Sequence, residues 1–159
     1  MLRYDSRYVK FLPHVPLPTF WTDDERECLL KGTTLAPAIE AKIRSLYREF
    51  SEFRSATEDL SWCRRWWWDE VEALERLTFD DWKEIDASYR SRVLDFPGHV
   101  GEAMVPCIDM ANHSDGSSAT ACYDIASDGS AALGVCKGRQ IKANDEITIT
   151  YAWPDCYVQ

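Results

Sequence analysis

The hydrophobic repeat of the chain changes at Arg92. Before this residue, apolar side chains recur at intervals of three and four positions, the period of an amphipathic α-helix. After it, apolar and polar residues alternate in short runs separated by turn residues, which is the pattern of β-strands. With 159 residues, the chain is long enough for one compact domain. The sequence therefore predicts an α+β fold, with helices first and a small, mostly antiparallel β-sheet afterwards.

The N-terminal segment from Tyr8 to Phe20 is predicted to be extended. It contains Pro13, Pro16 and Pro18, and each proline removes a backbone N–H and disfavours helix at the residue before it. The first helix is therefore expected only after this segment.

Four helices are predicted between this segment and the change of repeat. The first begins at Thr22, because a threonine N-cap with Glu25 three residues later forms a capping box, and it should end at Gly32. The remaining helices are predicted from the apolar repeat over Leu35–Phe50, Ser61–Leu77 and Thr78–Arg92.

Three consecutive tryptophans, Trp66, Trp67 and Trp68, lie in the third predicted helix. Indole faces attract cations, so such a group raises the possibility of an aromatic cage for a methylated amine. Successive residues of a helix point about 100° apart, however, and three of them cannot line one pocket. We therefore predict that these tryptophans pack between helices.

The strands after Arg92 are predicted from alternation and from turn residues. Pro97-Gly98 indicates one turn, and Asp128-Gly129 is a strong hairpin signal. The predicted strands cover Ala103–Ile108, Ala119–Ile125, Ala131–Lys137 and Glu146–Tyr151.

Two polar segments in this region carry the residues best suited to chemistry. In the first, a buried strand is followed by a loop that presents Asp109, Asn112 and His113. In the second, Asn144-Asp145-Glu146 forms a turn before a strand of alternating isoleucine and threonine that ends on Tyr151. The order of these two segments is more specific than either of them alone.

This order resembles the C-terminal half of SET-domain protein-lysine methyltransferases, in particular the branch of the Rubisco large-subunit and fungal enzymes. The run from Tyr8 to Leu35 and the segment Tyr89–Arg92 resemble the start and end of the helical insertion that divides this fold. The resemblance implies that residues 1–95 form the helical insertion and residues 96–159 the C-terminal half of a SET domain. No glycine-rich cofactor segment precedes Tyr4, and no Ser-Tyr-Gly segment follows the tyrosine motif, so we expect a SET domain truncated at both ends.

The resemblance also implies a cofactor, S-adenosylmethionine, and roles for individual residues. Asn112 would contact the cofactor through its side chain, His113 largely through its backbone, and Arg92 through the methionine carboxylate. Tyr151 would be the catalytic tyrosine, and Asp109 would face the substrate lysine.

Each of these residues has a simpler interpretation when the resemblance is left aside. Tyr151 can be an edge-strand tyrosine with an exposed hydroxyl, and Arg92 a cation at the C-terminus of a helix. Asn112 and Asp109 can cap the loop without binding a ligand. A hydrolase built on Cys107, His113 and Asp109 is conceivable from residue types, but nothing in the sequence orients these three as nucleophile, base and orienting acid.

Charge and composition limit the classes of partner. A net charge of −9 disfavours nucleic acid and suits a cationic partner. Taken alone, this charge is better explained by a solvated acidic surface that keeps the protein soluble. Together with the resemblance, it implies a protein-lysine N-methyltransferase acting on a lysine in a basic context. The alternative is a catalytically inactive SET-derived fragment that acts as a protein-interaction module through its tryptophan-rich helical half.

The cysteines and the apolar runs exclude further classes. The six cysteines form no Cys-x-x-Cys pair and the histidines add no ligand spacing, so no metal site is expected. Buried or partly buried free thiols in a reducing compartment are the better interpretation. No secretory signal or membrane-spanning run is present, which predicts a soluble intracellular protein of the cytoplasm or nucleus, without membrane contact.

Overall fold

The computed structural model of the protein describes residues 6–69, 76–96 and 101–151. In these ranges the structure is mixed α+β, with helices in the first part and short strands in the second. The chain divides into two compact units, Met1–Ser88 and Tyr89–Gln159. The α+β class predicted from the change of repeat is confirmed.

The first unit contains most of the helical residues. Its helices are α1 (Arg7–Phe11), α2 (Asp23–Leu30), α3 (Leu35–Thr57), α4 (Ser61–Cys63) and the start of α5 (Phe79–Arg92), with a 3₁₀ turn at Pro18–Phe20 and a π-helical turn at Arg64–Trp68. None of the described helices combines the length and the apolarity that crossing a membrane requires.

Helix α2 begins with the predicted capping box. The backbone N–H of Glu25 donates to Thr22 Oγ1 at 3.2 Å, and the N–H of Thr22 donates to Glu25 Oε2 at 2.8 Å. The backbone N–H and the hydroxyl of Thr22 both donate to Oε2 of Glu25, and these two bonds lower the pKa of the Glu25 carboxyl. Gly32 follows the helix with a φ of 77°, a left-handed conformation that glycine adopts without strain, so both predicted ends are confirmed.

Two predictions for the first unit are wrong in part. The Tyr8–Phe20 segment is not extended at its start, because α1 forms before the first proline and is capped by Ser6, whose Oγ accepts from Val9 N at 3.3 Å. The helix predicted over Ser61–Leu77 is helical from Ser61 to Trp68, whereas residues 69 and 76–78 are not helical. The part of that prediction on residues 70–75 lies outside the described residues.

The tryptophans of the π-helical turn have different environments. Trp68 is 8% exposed and packs against Phe50 and Phe53, with ring centroids 6.0 Å from each. Trp67 lies against Phe53 at 5.3 Å, whereas Trp66 is 42% exposed. The prediction that these side chains pack between helices is therefore confirmed for Trp67 and Trp68. It is wrong for Trp66, because consecutive residues point in different directions.

The described residues of the second unit form three two-stranded sheets. Strands β1 (Leu94–Phe96) and β2 (Gly101–Ala103) are antiparallel, β3 (Asn112–His113) and β6 (Thr148–Ile149) are parallel, and β4 (Ala121–Ile125) and β5 (Ala131–Val135) are antiparallel. The hairpin predicted around Asp128-Gly129 is confirmed, with slightly shorter strands. The turn predicted at residues 97–98 lies outside the described residues.

The strand predicted over Ala103–Ile108 is wrong. Strand pairing ends at Ala103, and Cys107 has a φ of 77°, which ends any extended run at this position. A 3₁₀ turn, Ile108–Met110, follows directly. The last strand is also shorter than the predicted Glu146–Tyr151, because its partner β3 is only two residues long.

In the part of the second unit that the structure describes, most of the buried apolar residues form one core cluster. Its buried members come from β1, the 3₁₀ turn, β4 and β6, and they are Leu94, Phe96, Ile108, Ala111, Ala121, Tyr123 and Ile149. Tyr123 contacts Phe96 edge to face with ring centroids 5.0 Å apart. Burial and the nearby Asp95 carboxylate raise the pKa of Tyr123. This core holds the segments of the candidate site in place.

Candidate functional site

The parallel pair of β3 and β6 brings together the two polar segments that the sequence singles out. Asn112 lies opposite Thr148, and His113 lies opposite Ile149. The N–H of Ser114 donates to the carbonyl of Ile149 at 2.9 Å and continues the pairing. Ile149 is fully buried, so hydrophobic burial anchors this pairing.

Tyr151 is fixed by two hydrogen bonds to the first segment. Its backbone N–H donates to Nδ1 of His113 at 3.2 Å, and its hydroxyl donates to the carbonyl of Ala111 at 3.1 Å. The rings of Tyr151 and His113 lie 5.0 Å apart, centroid to centroid. Nδ1 of His113 is therefore the acceptor of the bond from the Tyr151 N–H, and Nε2 is not engaged in it. Tyr151 remains 46% exposed and is available to a ligand.

Asn112 makes a second link between the two segments. Its amide nitrogen donates to Oε1 of Glu146 at 2.5 Å, across a sequence separation of 34 residues. Both side chains are exposed. Among the described residues no hydrogen bond reaches the amide oxygen of Asn112, which leaves an acceptor at the surface.

Arg92 ends helix α5 and turns its guanidinium towards the 3₁₀ turn. Its Nη1 donates to the carbonyl of Asp109 at 3.2 Å and lies 3.1 Å from the sulfur of Met110. Its Nε is buried and has no hydrogen-bond partner in the described part of the chain. An unsatisfied buried donor is costly, and an anion can satisfy it.

Asp109 lies inside the unit, whereas the sequence predicts it on a loop that presents it. The residue is 6% exposed and occupies the centre of the 3₁₀ turn. Its backbone N–H donates to the carbonyl of Val105 at 3.0 Å, which closes the turn. The expectation of an open loop at Asp109 is wrong because this turn folds the residue inwards, while Asn112 and His113 are exposed as predicted.

A pocket of about 230 Å³ joins three of the predicted site residues. Its walls are formed by the end of α5, β1, the 3₁₀ turn and the tyrosine after β6, and the lining residues are Arg90, Ser91, Arg92, Val93, Leu94, Asp109 and Tyr151. Asn112 and His113 do not line it, but Nδ1 of His113 accepts a hydrogen bond from the backbone N–H of Tyr151, which does line it. Arg90 and Ser91 are additional lining residues, and their signal in the sequence is their place in the Tyr89–Arg92 motif.

The pocket fits the charged end of an amino-acid ligand. At about 230 Å³ it is smaller than the roughly 300–1,000 Å³ that usually encloses a whole cofactor-sized molecule. The buried Nε of Arg92 provides an unsatisfied donor for a carboxylate. These residues therefore fit the amino-acid end of S-adenosylmethionine, and the rest of such a ligand would extend outside the pocket.

Two other kinds of site find no support in the geometry. In residues 6–69, 76–96 and 101–151, no group of three or more histidine, cysteine or acidic side chains is placed to hold a metal ion. A hydrolase on Cys107 would need a base oriented by a carboxylate, but Asp109 is buried and Nδ1 of His113 is occupied by the N–H of Tyr151. The thiol of Cys107 is itself exposed, as is that of Cys28, so the expectation of buried thiols is wrong at these two positions.

The chain matches no protein-family model, and no curated protein is significantly similar to it. The function is therefore inferred from the geometry of the second unit and from the motifs in the sequence.

Proposed function

We propose that the chain is part of a SET-type, S-adenosylmethionine-dependent protein-lysine N-methyltransferase. The main support for the proposal is that Tyr151 is hydrogen-bonded to the segment containing Asn112 and His113 and lines the same pocket as Arg92. Two motifs far apart in the sequence meet at this place, and their meeting supports the proposal. The mixed α+β structure with its small sheets is compatible with that fold.

The reaction sets clear physical demands on the site. A lysine side chain has a pKa of about 10.4, so its neutral, nucleophilic form costs about 4 to 5 kcal/mol at pH 7 in water. When bound, S-adenosylmethionine supplies an electrophilic methyl group on a positively charged sulfonium. The protein must then hold the amine in line with the methyl group and provide a poorly solvated surrounding.

The residues of the pocket suit the binding of the cofactor's amino-acid end. Arg92 offers a buried Nε–H that can donate to a carboxylate. Its Nη1 is held by the Asp109 carbonyl, so the guanidinium is already oriented before a ligand arrives. Preorganisation of this kind reduces the entropy lost on binding. Asn112 and His113 would contact the remainder of the cofactor on the exposed side.

Tyr151 is placed to orient the reacting amine. Its hydroxyl proton is directed to the Ala111 carbonyl, so the lone pairs of the oxygen remain available. Such an oxygen can accept a hydrogen bond from a lysine amine. A rigidly held acceptor aligns the nucleophile without acting as a strong base.

The substrate we propose is a lysine side chain in a basic segment of a protein. The support is the net charge of −9, which favours association with cationic partners over nucleic acids. Asp109 lines the same pocket as Tyr151. It would face the bound amine.

Transfer of a radiolabelled methyl group from S-adenosylmethionine to a mixture of basic proteins tests the proposal. We expect incorporation into lysine with the wild-type chain and a loss of at least about 10²-fold in Tyr151→Phe, the size typical for removal of an oriented catalytic group. Tyr47→Phe is the matched control, because Tyr47 is 60% exposed and belongs to the first unit. Equal incorporation by the two variants would refute the role of Tyr151.

A second candidate function is that of a non-catalytic interaction module. Trp62 is 59% exposed and Trp66 is 42% exposed in the first unit, and exposed tryptophans are enriched at protein interfaces. Under this alternative, binding of a partner protein is abolished by Trp62→Ala and unchanged by Tyr151→Phe. The proposed methyltransferase predicts the opposite dependence for transfer of the methyl group.

A further inference from the structure

Strand β5 forms an edge of the β4–β5 hairpin that no other described strand covers. It pairs with β4 along its full length, and among the described residues this sheet has no third strand. The sequence of β5, Ala-Ala-Leu-Gly-Val, contains no charged residue and no proline. Protein edge strands usually carry such residues to prevent pairing with another chain. This edge has no such protection.

The backbone of β5 presents hydrogen-bonding groups on its outer side. At one end of the hairpin, the N–H of Ala126 donates to the carbonyl of Ser130 at 2.8 Å. At the other end, the N–H of Cys136 donates to the carbonyl of Thr120 at 3.0 Å. Even-numbered residues of β5 therefore bond to β4, and by alternation the N–H and C=O groups of residues 131, 133 and 135 point outwards.

The same odd-numbered residues carry apolar side chains that are only partly covered. Leu133 is opposite Tyr123, and Val135 is opposite Ala121, so both lie on the face that contributes to the core. Their partners on β4 are buried, whereas Leu133 is 38% exposed and Val135 is 53% exposed. The apolar layer therefore continues beyond the core to an open edge.

The charges beside β5 are complementary to those of an antiparallel copy. Asp128 lies before the strand, and its carboxylate has a pKa lowered by hydrogen bonds from Ser130, so it is ionised at neutral pH. Lys137 and Arg139 lie after the strand. When two β5 strands run antiparallel, the acidic end of each lies beside the basic end of the other. Parallel pairing would place like charges together.

We propose that β5 pairs antiparallel with β5 of a second copy of the chain, about a twofold axis at Leu133. The resulting four-stranded sheet would gain about six backbone hydrogen bonds from the outward-pointing groups. It would also join the Leu133 and Val135 side chains of both copies into one apolar layer. Because a pair of five-residue strands buries a small area, the dimer is weak and depends on protein concentration.

Sedimentation equilibrium of the full chain tests this dimer. Between about 10 µM and about 1 mM, we expect the average mass to rise from 18.3 kDa towards twice that value, as for a micromolar to millimolar dissociation constant. Leu133→Lys and Val135→Lys should shift the midpoint at least about tenfold upwards, because each places a charge in the apolar layer. Leu29→Lys is the matched control, since Leu29 is exposed in the first unit.

Disulfide formation tests the register. Antiparallel pairing about residue 133 places the two Leu133 Cα atoms about 5.5 Å apart, within the range for a disulfide. Leu133→Cys, in a chain with Cys28 and Cys107 replaced by serine, should form a dimer linked through position 133 under mild oxidation. Ala132→Cys, on the opposite face of β5, should form it at least about tenfold more slowly.

Three outcomes would overturn the proposal. The first is a wild-type chain that remains monomeric up to about 1 mM. The second is self-association that persists in both lysine variants while their circular dichroism shows a folded hairpin. The third is equal crosslinking at positions 132 and 133.

Discussion

Truncation of Ile149 should destabilise the second unit strongly. This residue is 0% exposed and packs in the core with Leu94 and Phe96. Replacing a fully buried isoleucine with alanine typically costs about 2–5 kcal/mol, because apolar surface is lost and a cavity remains. Ile149→Val removes one methylene and should cost only about 0.5–1.5 kcal/mol. Against a total stability of about 5–15 kcal/mol for a typical domain, the alanine effect is large.

Amide hydrogen exchange at Ser114 is the assay, because the N–H of Ser114 donates to the carbonyl of Ile149. A loss of about 2–5 kcal/mol should accelerate this exchange by roughly 30- to 5,000-fold. Ile147→Ala is the control, since Ile147 is 43% exposed and its truncation should stay within about 0.5 kcal/mol. Equal acceleration by Ile147→Ala and Ile149→Ala would refute the placement of β6 in the core.

Three further predictions concern a helix cap, a buried aromatic side chain and an ionisable pair. Thr22→Ala should lower the thermal stability of the first unit by about 0.5–2 kcal/mol, while Thr34→Ala, at an N-cap without a side-chain bond, should have a smaller effect. Trp68→Ala should cost about 3–5 kcal/mol in urea unfolding, since its ring is buried and its indole N–H donates to a threonine. Glu102→Gln should lower the pKa of Tyr89, measured by NMR of labelled tyrosine, because the Glu102 carboxylate accepts the phenol proton at 3.1 Å and raises that pKa. The stability from this bond is present below the ordinary tyrosine pKa of about 10 and lost as pH rises through the raised value.

Each of these predictions has an outcome that would contradict it. Trp66→Ala is the control for the buried tryptophan, and an equal loss of stability at Trp66, which is 42% exposed, would show that burial does not decide the effect. An equal effect of the two threonine variants would exclude the capping box as the cause. An unchanged pKa of Tyr89 in Glu102→Gln would exclude the hydrogen bond as the origin of the shift.

Local signals in the sequence predict the ends of one helix and the position of the hairpin. The Thr22–Glu25 capping box and the glycine after α2 determine both ends of that helix through hydrogen bonds that involve neighbouring residues. The Asp128-Gly129 turn predicts the β4–β5 hairpin for the same reason. Helix α1 is not predicted. The prolines that follow it restrict the backbone conformation only at their own positions and at the residue before each of them.

The short strands and the interior of the site depend on non-local contacts. The parallel pairing of Asn112–His113 with Thr148–Ile149 has no signal in either segment alone, since its residues are brought together by core packing. The burial of Asp109 follows from the turn after Cys107, whose positive φ no sequence pattern indicates. The sequence thus indicates which residue types belong to the candidate site, but it does not indicate the hydrogen bonds that connect them.

Calorimetric titration of the chain with S-adenosylmethionine tests the central proposal most directly. We expect saturable binding by the wild-type protein, reduced at least about tenfold in Asn112→Ala and in Arg92→Gln, because each change removes a group that would bind the cofactor. Gln140→Ala, which removes an exposed amide elsewhere in the second unit, should bind like the wild type. Absence of binding by a folded wild-type chain, or equal binding by all four proteins, would contradict the proposed cofactor site.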